Sequence, residues 1–129
     1  MRVLLDTQVV LWALRAEALP SEAIEFIRDT ETDVLVSAVV PWEIAIKTGT
    51  GRLSLDESLE VVVQRIDSDL LARHVPIEFE HAVRVARLPM HHTDPFDRML
   101  VAQAQVLGVP IVTADAQIAR YDVDVIMAD

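Results

Sequence analysis

Short apolar, β-branched runs alternate with amphipathic stretches along this chain, and that alternation constrains its fold more than any other feature. The runs RVLL (2–5), DVLVS (33–37), VPIVT (109–113) and VDVIM (123–127) are nearly continuous in apolar residues, as strands buried on both faces are. A shorter strand is predicted within LARHVPI (71–77). Strands separated by helices imply right-handed crossovers and a parallel sheet covered on both sides. The predicted fold class is α/β, a three-layer Rossmann-like domain with a small central parallel sheet flanked by helices.

Helix start and stop signals punctuate the segments between these strands. Pro41 and Pro95 fit first helical positions, Gly108 fits a C-terminal stop, and SLDE (54–57) predicts a capping box. With 129 residues the chain is expected to form one domain, residues 1–129. The predicted helices lie near residues 7–16, 21–30, 40–48, 55–69, 79–88 and 96–107.

Composition excludes several functional classes. The net charge is −10, from 21 acidic and 11 basic side chains, which argues against a broad basic face for nucleic acid, so any such binding must be local. No apolar run reaches the roughly 18 residues of a membrane span, and no cleavage site follows the N-terminal run, so we expect a soluble protein without a membrane partner. The absence of cysteine excludes disulfides and thiolate metal sites and is compatible with the cytoplasm, where we expect the protein.

Four carboxylates occupy strand exits or helix entries. Asp6 directly follows the first strand, Glu43 falls in the first turn of the helix after the second strand, Asp97 falls in a later first turn, and Asp115 follows VPIVT by two residues. In a parallel sheet these positions project towards one side, which is where ligands collect. The sequence therefore predicts one acidic site.

Each acid also has a purely structural interpretation. An aspartate N-cap or a carboxylate in a first helical turn contributes roughly 0.5 to 1 kcal/mol, and Asp94 before Pro95 is a strong helix start. Glu43 also has Lys47 four residues later, the favourable order for a surface ion pair. Capping, however, does not require separate helix starts to converge. Converging carboxylates repel by roughly 4 kcal/mol per pair at an effective dielectric of 20, and a divalent cation relieves this. All-oxygen ligands favour Mg²⁺ or Mn²⁺.

Other acid-rich or nucleophilic sites fit less well. The first strand leads into DTQ rather than the D-x-D of a haloacid-dehalogenase-like phosphatase, and the paired acids and lysine of a phospho-receiver are missing. The chain has neither a P-loop motif nor a G-x-S-x-G elbow, and it has no cysteine nucleophile. The adjacent pair His91 and His92 has poor geometry for gripping one ion and is predicted to serve in a loop or behind the ligands.

Four segments together resemble PIN-domain proteins, and in particular the VapC-type toxin ribonucleases of type II toxin–antitoxin pairs. They occur in the family's order and extend over nearly the whole chain. LLDTQVVLWAL (4–14) resembles the family's first strand, aspartate and helix, and VSAVVPWEIAIKTGTGRLSL (36–55) its glutamate-bearing helix and G-[KR]-L segment. HTDPFDRMLVAQA (92–104) resembles the third-acid helix, and PIVTADAQIARY (110–121) the fourth-acid strand and turn.

The resemblance implies a Mg²⁺- or Mn²⁺-dependent endoribonuclease that uses metal-activated water and leaves 5′-phosphate and 3′-hydroxyl ends. It assigns the catalytic and metal-binding acids to Asp6, Glu43, Asp97 and Asp115. Asp6 and Asp97 are the expected direct ligands, and Asp115 is expected to act through water or a second ion. Asp94 mainly begins its helix and also supports the site. The implied partners are an RNA substrate, a cognate antitoxin and a second copy in a homodimer.

Further side chains near these acids have two interpretations each. Thr7, Ser37 and Thr113 either orient waters and ligands or act as caps. Lys47, Arg52 and Arg98 are expected near the rim, where they either hold RNA or pair with acids. Trp12 and Trp42 are predicted to be core or interface residues, with base stacking as the minority interpretation. Two rival functions stay open: a non-catalytic PIN-like binding scaffold, and a metal-dependent nuclease of nucleic-acid processing.

Overall fold

The computed structural model describes residues 1–15 and 21–128, which form a parallel sheet with helices on both faces. The final position of the first predicted helix, residue 16, lies outside the described residues. The strands are β1 (Arg2–Leu5), β2 (Asp33–Ser37), β3 (Arg73–Val75), β4 (Ile111–Thr113) and β5 (Val125–Met127). The α-helices are α1 (Thr7–Arg15), α2 (Ser21–Arg28), α3 (Val39–Gly49), α4 (Leu59–Ser68), α5 (Phe79–Val85) and α6 (Pro95–Leu107), and a 3₁₀ turn covers Ile118–Arg120.

The five strands are ordered β3-β2-β1-β4-β5, and every neighbouring pair is parallel. The predicted parallel sheet is confirmed, including the short strand expected within residues 71–77. The strands β4 and β5 are shorter than predicted and begin at Ile111 and Val125. Pro110 has no N–H to donate to a ladder, although its carbonyl still accepts from Leu4 N at 2.9 Å.

Alternate residues of the central strand pack into two separate cores. Val3 and Leu5 join one cluster with α1, α3 and α4, whereas Leu4 joins the other cluster with α6, and all three are fully buried. Because successive side chains of a strand point to opposite faces, this division requires helices on both sides of the sheet. The three-layer α/β architecture is therefore confirmed.

Two predicted helix-start signals are wrong, Pro41 as a first helical residue and Ser54 as a cap. The helix α3 begins at Val39, so Pro41 is its third residue, where it still replaces an N–H that has no partner within the helix. The helix α4 begins after Ser58, whose Oγ accepts from Val61 N at 3.3 Å. The predicted capping box over residues 54–57 is absent, because Ser58 provides a cap directly before the apolar face of α4, and Glu57 binds Arg65 at 2.6 Å instead.

The start and the end of α6 agree with the sequence. Asp94 is its N-cap, Pro95 is its first residue, and Gly108 ends it in the left-handed conformation with φ of 68°. This cap geometry fixes the position of the next residues of the helix, Asp97 among them. Among the described residues, no helix is both long and apolar enough to cross a membrane.

Candidate active site

A cavity of about 500 Å³ opens where β1 and β4 end and where α1 and α6 begin. It contains all four acids that the sequence predicts to converge, together with the cap residue of α6. Neutral and cationic side chains complete its wall, among them Thr7, Lys47 and Arg52. The carboxylates that line it are Asp6, Glu43, Asp94, Asp97 and Asp115.

Asp6 is both a helix cap and a cavity residue. Its Oδ1 accepts from Val9 N at 2.8 Å, at the third residue of α1, and its Oδ2 accepts from the Thr113 hydroxyl. The side chain is almost completely buried. Burial raises the pKa of Asp6, and the charges of Glu43 and Asp115 add to that rise, while the two hydrogen bonds oppose it. The capping interpretation is correct, and it does not exclude a second role.

Glu43 lies in the second turn of α3, because that helix begins earlier than predicted. Its Oε1 accepts from Thr7 Oγ1 at 2.6 Å, and its Oε2 accepts from Lys47 Nζ. The hydrogen bond to Glu43 raises the pKa of Lys47. The pair is not a surface pair as expected, since only 7% of the Glu43 side chain is exposed. One oxygen of Glu43 is therefore paired with the Lys47 ammonium, and the other joins α3 to α1 through Thr7.

Asp94 and Asp97 have different duties although they are one helical turn apart. Asp94 Oδ1 accepts from Phe96 N at 2.9 Å and from Asp97 N at 3.1 Å, so it begins the helix. Asp97 projects into the cavity, and its Oδ2 lies 3.2 Å from His92 Nε2. Burial, and then the charge of Asp94, raise the pKa of Asp97 to about 7, against the hydrogen bond from His92.

Asp115 is held in the turn that follows β4. Its N–H donates to Thr113 Oγ1 at 3.0 Å, and its Oδ1 accepts from Gln117 N at 2.8 Å. The Thr113 hydroxyl also donates to Asp6, so one side chain connects two acids of the cavity. The second carboxylate oxygen of Asp115 accepts no hydrogen bond from the residues that the structure describes.

Three predicted supporting residues do not line the cavity: Thr113, which binds Asp6 and Asp115, and also Ser37 and Arg98. Ser37 is buried, and its Oγ accepts from Val39 N at 3.0 Å, so it binds the first N–H of α3 from the position before the N-cap, Ala38. Arg98 is buried on another side of α6 from Asp97, since neighbouring helical residues point about 100° apart. Its guanidinium binds backbone carbonyls, including that of Pro89 at 2.8 Å, and is not at the rim.

Several residues of the cavity and its surroundings are not among the predicted site residues. Gln8, Leu11 and Trp12 line the cavity from one face of α1, which their helical spacing would have indicated. Trp12 is half-buried against the core, and Trp42 is 47% exposed with its ring 4.9 Å from that of Phe96. No spacing predicts that His92 contacts Asp97, because the contact depends on the path of the loop before α6.

The donor set suits a hard divalent cation, since it consists of carboxylate oxygens. Within residues 1–15 and 21–128, however, no three acidic or histidine side chains are grouped as a ready metal-binding cluster. A shared ion therefore requires these side chains to approach one another across the cavity. The raised pKa values of Asp6 and Asp97 are consistent with negative charge concentrated in a partly dehydrated space.

Comparison of the whole fold finds several similar solved structures. VapBC2 from Rickettsia felis, bound to a DNA fragment from its promoter, matches with a TM-score of 0.73 and 12% identity over 100% of both chains. DNA-bound VapBC from Salmonella typhimurium matches with a TM-score of 0.71 and 15% identity, over 100% of this chain and 99% of that one. VapBC-5 from Mycobacterium tuberculosis, a member of the VapBC family of toxin–antitoxin systems, matches with a TM-score of 0.62 and 19% identity, over 98% and 96% of the two chains. At these identities the likeness shows a shared fold.

Sequence comparison gives the family itself. No curated protein sequence matches the chain significantly. The family model of the PIN domain, by contrast, matches residues 3–124, which include β1 from its second residue, all of β2, β3 and β4, and every carboxylate of the cavity. The chain therefore belongs to the PIN-domain family of nucleases.

Proposed function

We propose that this protein is a Mg²⁺- or Mn²⁺-dependent endoribonuclease and the toxin of a toxin–antitoxin pair. The observation that carries the proposal is the convergence of Asp6, Glu43, Asp97 and Asp115 on one cavity of a PIN domain. The toxin assignment is supported by the motif order in the sequence and by similar folds in VapBC complexes.

The carboxylates divide by what already binds them. Asp6 and Asp97 accept hydrogen bonds but are paired with no lysine or arginine that the structure describes, and lone pairs stay free on their oxygens, so they are assigned as direct metal ligands. Glu43 is already paired with the Lys47 ammonium and is assigned to act through water. Asp115, whose second oxygen is free of other described groups, is assigned to bind through water or to a second ion.

A divalent cation at this site would activate water and relieve charge on the phosphate in phosphodiester hydrolysis. The chain itself supplies the positioning. The Thr113 hydroxyl binds both Asp6 and the backbone of Asp115. The Thr7 hydroxyl donates to Glu43 and so joins α1 to α3. Lys47 and Arg52 line the cavity and offer local positive charge to an RNA phosphate in a protein whose net charge is −10.

The proposal includes two protein partners, a cognate antitoxin and a second copy of this chain. Several large apolar side chains are exposed, which gives both partners apolar surface to cover: Trp42 is 47% exposed, Ile46 41%, Leu71 80% and Phe79 92%. Trp42 and Ile46 lie on α3, the helix that carries Glu43 and Lys47 into the cavity. A partner on this helix would lie beside the active site.

The proposal is tested by incubating purified protein with RNA in Mg²⁺ or Mn²⁺. We expect cleavage that EDTA stops and that Asp97→Asn abolishes without unfolding the domain. The matched control is Asp56→Asn, at an exposed aspartate outside this cavity, which retains cleavage. Retained activity in Asp97→Asn contradicts the site assignment, and metal binding without any cleavage favours the scaffold.

Controlled expression in cells tests the toxin assignment separately. We expect wild-type protein to arrest growth, Asp97→Asn not to do so, and co-expression of the cognate antitoxin to restore growth. Mapping of RNA ends in the arrested cells then identifies the cleaved RNA. Cleavage in the test tube without growth arrest favours a nuclease of nucleic-acid processing.

A further inference from the structure

A relay of four side chains joined by hydrogen bonds runs from buried Arg98 through Tyr121 and His92 to the Asp97 carboxylate. Arg98 Nη1 donates to Tyr121 Oη at 3.2 Å, and His92 Nδ1 lies 2.8 Å from the same Oη. His92 Nε2 lies 3.2 Å from Asp97 Oδ2. We propose that His92 is a positioning residue, which donates from Nε2 and holds the Asp97 carboxylate in its metal-binding orientation. The inference rests on the proposed function, because that function makes Asp97 a ligand.

The far end of this relay is fixed by backbone. The Arg98 guanidinium donates to the carbonyls of Pro89 at 2.8 Å, Val85 at 3.3 Å and Leu88 at 3.4 Å. Only 7% of Arg98 is exposed. A guanidinium is a planar donor with no acceptor, so Tyr121 Oη must accept from it. The hydroxyl proton of Tyr121 is therefore free for another acceptor.

The position of that hydroxyl proton decides which nitrogen of His92 carries hydrogen. Tyr121 Oη lies 2.8 Å from His92 Nδ1 and 3.4 Å from the His92 carbonyl oxygen, so the ring nitrogen is the better acceptor. When Nδ1 of a neutral imidazole accepts, the ring proton is on Nε2. Nε2 is the nitrogen that faces Asp97. The opposite tautomer would direct a lone pair at a carboxylate oxygen.

The surroundings favour a persistent contact. The side chains of His92 and Asp97 are 15% and 17% exposed, so water competes little for their hydrogen bond. The ring of His91 packs edge-on against Tyr121, with 4.8 Å between ring centroids. Of the described residues, His92 alone donates a side-chain hydrogen bond to the Asp97 carboxylate. Loss of this donor would free the carboxylate to rotate away from the cavity.

Nitrogen-15 NMR of the imidazole rings tests the tautomer in metal-free protein at pH 8. We expect His92 to carry its proton on Nε2 in the wild type, and Tyr121→Phe to shift the ring towards a mixture with the Nδ1–H form. The control His91→Leu removes packing on Tyr121 without touching the polar relay, and it leaves the His92 tautomer unchanged. A wild-type His92 protonated on Nδ1 overturns the proposal.

Mn²⁺ binding, measured by the paramagnetic resonance signal of the free ion, tests the positioning. We expect His92→Leu to weaken Mn²⁺ binding about 10- to 100-fold, the usual effect of removing a group that orients a ligand. His92→Gln recovers most of the affinity, because its amide nitrogen donates from the place of Nε2. Where His92→Leu does not fold, Tyr121→Phe replaces it, with a smaller expected loss.

The results separate this inference from the proposed function. Unchanged Mn²⁺ affinity in His92→Leu and Tyr121→Phe, with RNA cleavage by the wild type, contradicts the relay and leaves the nuclease assignment standing. Weakened Mn²⁺ binding in the same variants, with no cleavage by the wild type under any condition, supports the relay and contradicts the nuclease assignment.

Discussion

The hydroxyl of Thr113, 107 positions after Asp6 in the chain, donates a hydrogen bond to the Asp6 carboxylate. Asp6 directly follows β1 and Thr113 is the last residue of β4, and the parallel pairing of these neighbouring strands brings their exits together. Thr113 Oγ1 also accepts from the N–H of Asp115. One buried hydroxyl therefore joins two of the acids that line the cavity.

Removal of this hydroxyl is expected to affect both stability and activity. Thr113→Val keeps the branched shape, but it leaves a buried carboxylate oxygen and an N–H without their partner. We expect the free energy of unfolding to fall by about 1 to 3 kcal/mol and metal-dependent RNA cleavage to fall about 10- to 100-fold. Urea unfolding and initial cleavage rates measure the two effects. Thr113→Ser, which retains the hydroxyl, should stay near the wild type, and equal losses in both variants would contradict the role of the hydroxyl.

The stability of the metal-free protein should fall as pH rises towards 7. The pKa of Asp97 is raised from 3.8 to about 7 in the folded chain, chiefly by burial, so the folded state binds this proton more tightly than the unfolded state. The resulting stabilisation is present below about pH 4 and is lost as the pH rises through the folded pKa. Thermal unfolding between pH 4 and pH 8 measures this loss.

Asp97→Asn is the control for that pH dependence, because its amide does not titrate. We expect the decline in stability between pH 4 and pH 8 to be smaller in Asp97→Asn than in the wild type. Identical pH profiles for the two proteins would show that Asp97 does not titrate in this range.

Two serines near the start of α4 should differ in their effect on stability. Ser58 caps the helix through Val61 N, whereas Ser54 lies in the preceding segment, where the sequence predicted the cap. We expect Ser58→Ala to lower the free energy of unfolding by about 1 kcal/mol and Ser54→Ala to change it by less than about 0.5 kcal/mol. Urea denaturation of both variants measures the difference. A larger loss in Ser54→Ala would place the cap where the sequence predicted it.

Strand exits could be predicted because they depend on local signals. The β-branched runs locate the ends of β1 and β4, and a parallel sheet then places Asp6 and Asp115 at one edge. The N-cap Asp94 and the first residue Pro95 likewise place Asp97 in the first turn of α6. The direction of Arg98 could not be predicted, because carbonyls from the loop before α6 determine it. The contact of His92 with Asp97 depends on the same loop.

Mn²⁺ should stabilise the protein more at pH 8 than at pH 6. Metal ligands must be deprotonated, and burial holds the pKa of Asp97 at about 7, so a proton competes with the cation at pH 6. A ligand that binds only the folded state raises stability by about 2.7 kcal/mol at one hundred times its dissociation constant. The same Mn²⁺ concentration should therefore raise the unfolding temperature more at pH 8 than at pH 6.

The same measurement on variants separates this site from adventitious binding. Asp97→Asn should lose most of the stabilisation at pH 8, because a neutral amide replaces a charged ligand in the cavity. Asp56→Asn, which changes an exposed aspartate, should keep it. Stabilisation by Mn²⁺ that is equal at the two pH values and insensitive to Asp97→Asn would locate the bound ion elsewhere on the acidic surface, and Asp97 would then have no role as a ligand.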